Sequence, residues 1–213
     1  MARTVGSDGE KTLAAIQLAA KRLIALQGFE SVSMRQLASE VGIQAAAIYR
    51  YYPAKQDVLF SLMRDHMQGL LDAWESERNA LEGPVDRLSA FIRFHIRYHV
   101  ERRYDVHIAN MELRSLTHDN LTAVLKLRSA YEKELRQILR DGAETNDFAI
   151  DDVPLTAMAL IAMITGVNVW FRPDDRLSVS QIAETYVSMG MRLVGARSRE
   201  GNRHVPLGDE IRP

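Results

Sequence analysis

An all-α fold is what this sequence predicts, on three observations. Apolar residues recur at helical spacing along almost the whole chain, no alternation is sustained over the length of a strand, and 46% apolar with 26% charged residues is the composition of a soluble globular protein. The 213 residues suffice for one or two domains. No cysteine is present, which removes disulfides and thiolate chemistry together and suits a reducing cytoplasm.

Each element has its own signal. Ile16, Ala19, Ala20, Leu23 and Ile24 form one face of a first helix, closed by Gly28, which can take the left-handed C-cap conformation. Ser33 opens the second: its hydroxyl can cap a free N–H, Gln36 stands three residues on, and Leu37, Ala38 and Val41 precede the stop at Gly42. A third covers 44–51, because Pro53 prevents continuation. Over 59–74 the apolar spacing holds for four turns and includes His66. Gly83-Pro84 breaks the chain before a fifth helix marked by Leu88, Phe91, Ile92, His95 and Tyr98, and a shorter sixth covers 104–116. Thr117 is the expected cap of a seventh, which buries Val124, Tyr131, Leu135 and Ile138 and stops at Asp141-Gly142. Residues 153–171 carry no charge and approach the length of a bilayer span, yet Pro154, Thr156, Thr165, Gly166 and Asn168 fit a protein core or subunit interface better than lipid. Arg172-Pro173-Asp174-Asp175 reads as a turn, and Ser178 or Ser180 caps a ninth helix. Residues 1–10 and 197–213 are expected to be unstructured tails, the first with no apolar run and so no secretory signal.

The formal charge of −1 gives no bulk attraction for nucleic acid, but its distribution is uneven. Residues 1–55 hold seven Lys/Arg against four Asp/Glu, and acidic residues prevail in the remainder. A basic head of three short helices, the last two joined by a Gly-containing turn, is the arrangement that lays a helix in the DNA major groove.

The run Ile16-x-x-Ala19-Ala20-x-x-Leu23-Ile24-x-x-x-Gly28-Phe29, then Ser33-Met34-x-x-Leu37-Ala38-x-x-Val41-Gly42-Ile43, then Ile48-Tyr49-x-Tyr51-Tyr52-x-x-Lys55-x-x-x-Leu59 resembles the N-terminal domain of TetR-type transcriptional regulators. The resemblance implies a cytoplasmic homodimer that offers two helix-turn-helix heads to a palindromic operator. It also implies a larger helical body that joins the subunits and binds a small effector, probing the boundaries 11–55 for the head and 56–196 for the body, about nine helices in all. Repression relieved by the effector is the expected mode.

Site residues follow from the chemistry of each position. Ser33 and the N–H groups behind it make a phosphate seat. Arg35 and Gln44 are expected at base edges, Arg on guanine and Gln on adenine, with Ala45 packing on a thymine methyl. Tyr49 and Tyr51 reach phosphates or pack within the head, and resemblance places Tyr49 and Lys55 on phosphates. In the body Met63, Met67, Trp74, Phe91, Phe94, Tyr98 and Met111 are expected around an adaptable apolar cavity, with Arg114 and Asn168 orienting a polar group. The stretches Met111-Glu112-Leu113-Arg114-Ser115-Leu116 and Trp170-Phe171-Arg172-Pro173 are similar to regulators of lipophilic acyl compounds, including coenzyme A thioesters.

Ala159, Ala162 and Gly166 on one helix, with Ile182, Tyr186, Met189, Gly190 and Leu193 on the next, are the expected dimer seam. His95 and His99 stand four apart, but no acid or cysteine completes a ligand set, so neither metal nor cofactor is expected. Glu-x-x-His pairs, nucleotide loops and nucleophile elbows are missing, which argues against an enzyme. Two other readings stay open: a helical-bundle enzyme or carrier with an apolar cavity, and a helix-turn-helix protein that binds DNA without an effector.

Overall fold

The computed structural model describes residues 7–78, 81–172, 174 and 176–197, all helical or loop. The tails expected at 1–6 and 198–213, and Pro173 and Asp175 of the expected turn, lie outside the described residues. The elements are α1 (Ser7–Gln27), α2 (Met34–Val41), α3 (Ala45–Ile48), α4 (Lys55–Arg78), α5 (Pro84–Glu101), α6 (Arg103–Met111), a 3-10 turn (Leu113–Ser115), α7 (His118–Glu144), α8 (Val153–Thr165), α9 (Val167–Trp170) and α10 (Val179–Leu193). Helix α1 thus starts inside the stretch expected to be a tail. With α8 and α9 taken as one rod broken at Gly166, the α-helices among the described residues number the expected nine.

Most short-range signals act as read, but Thr117 stands at the N-cap of α7 without a side-chain cap bond. Gly28 and Gly42 adopt φ of 80° and 74° at the ends of α1 and α2. Ser33 Oγ accepts from Gln36 N at 3.1 Å, and Ser178 with Gln181 forms a reciprocal capping box. Asp152 caps α8 by accepting from Leu155 N at 2.9 Å. Gly142 differs from expectation: α7 runs past it to Glu144, and a Cβ there would sit 2.0 Å from the Phe148 ring. It is a close-approach residue, not a stop. The sixth helix also ends sooner than expected, at Met111, and the chain continues as the 3-10 turn.

Two apolar cores meet on α4. Val58, Leu59, Leu62 and Met63 pack with Ile16, Leu37 and Ile48 of the head, together with Ile108, Leu116 and Val124 of the body. One turn further, Met67, Leu70 and Trp74 join Phe91, Ile96, Leu135 and Leu160 in the second core. The boundary at 55/56 is therefore spanned by a continuous helix and by shared packing, and no flexible linker separates head from body. Helix α10 lies along α5, where Gly190 admits Ile92: a Cβ would stand 2.5 Å from Ile92 Cδ1. The Arg93 guanidinium holds Glu184 bidentately across the same contact, at 2.6 and 2.8 Å.

Candidate nucleic-acid interface and effector cavity

The head presents a small polar surface. Helix α3 is a single turn of three alanines and Ile48, shorter than expected, followed by tight turns in which Tyr51 N and Tyr52 N donate back to Ile48 O. Ile48 is fully buried and anchors it. Ser33, Arg35, Gln44 and Ala45 are all exposed in the α2–α3 unit, and Tyr49 is 53% exposed at its end. Gln44 occupies the N-cap of α3 without using its side chain there, which leaves the amide for another partner. Tyr51 is half-buried against the head core.

Lys55 is engaged within the chain. Its Nζ donates to the carbonyls of Phe29 and Glu30 at 3.0 and 3.3 Å and lies 4.1 Å from the centre of the Phe29 ring. The ammonium ties the start of α4 to the turn after α1, and the Glu30 carboxylate also lies 3.9 Å from it.

Among the described residues the body carries several concavities. An open groove of about 960 Å³ lies between α1, the α5–α6 junction and α9, with Lys21, Arg102, Arg103, His107 and Asn168 among its walls and Glu101 and Asp105 as acids. A smaller cavity of about 130 Å³ lies among α4 to α8 and is lined by His66, His95, His99, Tyr131, Asn110, Arg128 and Thr165 besides apolar Met67, Leu70, Val106, Ala109 and Ile161.

The histidines are held by one another and by neutral groups. The rings of His95 and His99 stack with centres 3.7 Å apart. His95 uses Nδ1 on the Tyr131 hydroxyl at 3.2 Å and Nε2 on Thr165 Oγ1 at 3.0 Å, while His99 Nδ1 donates to the His95 carbonyl at 2.8 Å. The i, i+4 pair therefore sets ring on ring and does not converge its nitrogens on one point. Among the described residues no group of three His, Asp or Glu could hold a metal ion. Desolvation lowers His66 from 6.5 to about 4 and His99 to about 3, and lowers fully buried His95 well below 6.5. All three are neutral near pH 7. His66 Nδ1 is buried with no hydrogen-bond partner.

The expected cavity residues scatter. Met67 lines this cavity, but Met63 is buried on the head side of α4, and Trp74, Phe91 and Phe94 pack on one another with ring centres 5.0 and 5.5 Å from Trp74. Tyr98 stacks obliquely over His66, Asn168 lies on the open groove, and Met111 and Arg114 face solvent. The lining actually present is more polar than an apolar stripe implies. Its signal in the sequence was His66, His95 and Tyr131 lying within apolar helical faces.

The expected dimer seam divides likewise. Ala159, Ala162, Met189 and Leu193 are exposed and Tyr186 and Gly166 half-buried, but Ile182 and Gly190 are buried in the α5–α10 contact of the single chain. Residues 153–170 form one stretch long and apolar enough to cross a membrane, with 22% of it buried, so it is not a core helix. Ala157, Leu160 and Ile164 are the fully buried residues of α8, Ile161 and Thr165 border the cavity, and Leu155, Met158 and Trp170 remain exposed.

Comparison with known proteins matches both halves of the chain. Residues 16–62 match the family model for bacterial regulatory proteins of the tetR family, and residues 81–194 match that for the tetracyclin repressor-like C-terminal domain. A transcriptional repressor from Mycolicibacterium smegmatis, KstR2, is 23% identical over 192 residues, covering 89% of this chain and 92% of its own. The fold is that of a tetR-family regulatory protein from Rhodococcus RHA1, at TM-score 0.83 and 24% identity over 88% of this chain and 99% of that one. AibR, solved in complex with isovaleryl coenzyme A and operator DNA, gives TM-score 0.77 and 27% identity over 84% and 97% of the two chains.

Proposed function

This chain belongs to the TetR family of bacterial transcriptional regulators, and from that premise we propose how its head and body cooperate. It is a ligand-responsive, DNA-binding repressor and not an enzyme. In our reading it works in the cytoplasm as a homodimer on a palindromic operator. Ser33 and Tyr49 contact phosphates, Arg35 and Gln44 read base edges, and Ala45 packs in the groove. Tyr51 and Lys55 chiefly brace that surface. The effector is a small acyl compound, such as a short coenzyme A thioester, a reading supported by the ligand of AibR.

The observation that carries this account is the double engagement of α6. On one side Val106, Ala109 and Asn110 line the cavity. On the other, Asp105 pairs with Lys21 of α1 at 2.7 Å, and Glu112, just past the helix, accepts from Phe29 N at 3.0 Å. Gln56 of α4 adds a second tie by bonding the backbone of Ser115 and Thr117. An effector that shifts α6 changes the heads' attitude, and by reciprocity operator DNA weakens effector binding by the same factor. Selection from random DNA should enrich a palindrome, and butyryl-CoA or isovaleryl-CoA should release it. Enrichment of no sequence would overturn the proposal.

The exposed apolar faces of α8, α9 and α10 support the dimer. Leu155 (63% exposed), Met158, Trp170, Met189 and Leu193 form a surface that a second copy would cover in a four-helix contact.

A further inference from the structure

The cavity among α4 to α8 is small, and Arg128, Asn110, Thr165 and three histidines interrupt its apolar lining. Its volume of about 130 Å³ admits a short group only. Arg128, on its wall, donates to the Ala109 carbonyl at 2.9 Å and to Asn110 Oδ1 at 3.5 Å, both neutral. Among the described residues no carboxylate lies within ion-pair distance of it. Glu132, the acid on the same wall, is held by Arg136, and Asp105, which acts on His66, is held by Lys21. A partly buried guanidinium without an acid is a site for an anion. Consistent with this, desolvation is what acts on the Arg128 proton affinity, lowering it.

Beside it, the buried Nδ1 of His66 lacks a partner, and this ring, being neutral, offers a hydrogen bond without adding positive charge. We propose that this cavity binds a compact carboxylate, with Arg128 as counter-ion and His66 Nδ1–H as a hydrogen-bond donor. The carboxylate comes either as a free short-chain acid or as the distal carboxyl of a short acyl thioester. The assignment rests on the reading that the body takes an effector, and it specifies which end of that effector is buried.

The test uses matched pairs on the purified full chain, by isothermal titration: butyrate against butyramide, and succinyl-CoA against butyryl-CoA. The charged member of one pair should bind at least about tenfold more tightly, as a charge-assisted hydrogen bond supplies. The pair that shows the preference identifies the source of the carboxylate. Arg128→Gln should erase the preference and Arg128→Lys retain it, which separates lost charge from lost packing. Equal affinities within both pairs, or no binding of either acid, would overturn the proposal. If butyryl-CoA then still releases the selected duplex, the effector reading stands and the carboxylate alone is refuted; if neither thioester does, both fall.

Discussion

His66, His95 and His99 stay uncharged in the folded body because burial removes the water an imidazolium needs. Their folded pKa values lie below 6.5, so between that value and about 4 the unfolded chain binds more protons than the folded one. Stability is therefore full above pH 6.5 and falls as the pH drops towards 4, by about 3 kcal/mol for His66 alone. Urea unfolding followed against pH should show this slope, and His66→Gln should reduce it. In the head, Arg35→Ala and Gln44→Ala should each cost about 1–3 kcal/mol on the selected duplex and much less on random DNA, measured by fluorescence anisotropy. Equal losses on both would remove these side chains from base readout. Residues whose role is local were legible in the sequence: Ser33, Gly28, Gly42 and Ser178 do what their chemistry dictates within one turn. Gly142 was not, because Phe148 fills the space beside it after a turn that helical spacing does not describe.

Among the elements, α6 is the one that the proposed coupling between body and head depends on. Removing the Glu112 carboxylate by Glu112→Ala frees Phe29 N and Ser115 Oγ while leaving the cavity walls in place. Effector affinity measured without DNA should be retained. The ratio of duplex affinities with and without effector, about 5–150 for an ordinary coupling, should shrink towards one. An unchanged ratio would place the coupling elsewhere. The sequence read α6 as longer than it is, since Met111 to Leu116 continues apolar spacing. The break follows from tertiary bonds: Glu112 turns to α1, and Gln56 takes the backbone beyond it. The cavity was legible only in part for the same reason. Each helix announces an apolar stripe, but which residues of five stripes border a void depends on how the helices cross, and Trp74 and Phe91 closed on each other where a ligand surface was expected.

At the level of the whole molecule, the proposed dimer rests on the charge-free rod of α8 and α9. An exposed face of Leu155, Met158 and Trp170 is costly in water and inexpensive against a copy of itself. Met158→Glu, which sets a charge in that face, should halve the mass seen by light scattering at micromolar concentration and weaken duplex binding, with the helical content of the chain retained. The most direct measurement is the mass of the complex with the selected duplex, by light scattering or native mass spectrometry. An even number of chains per duplex is the predicted result, and a single chain bound to a full-length site would contradict the paired-head account.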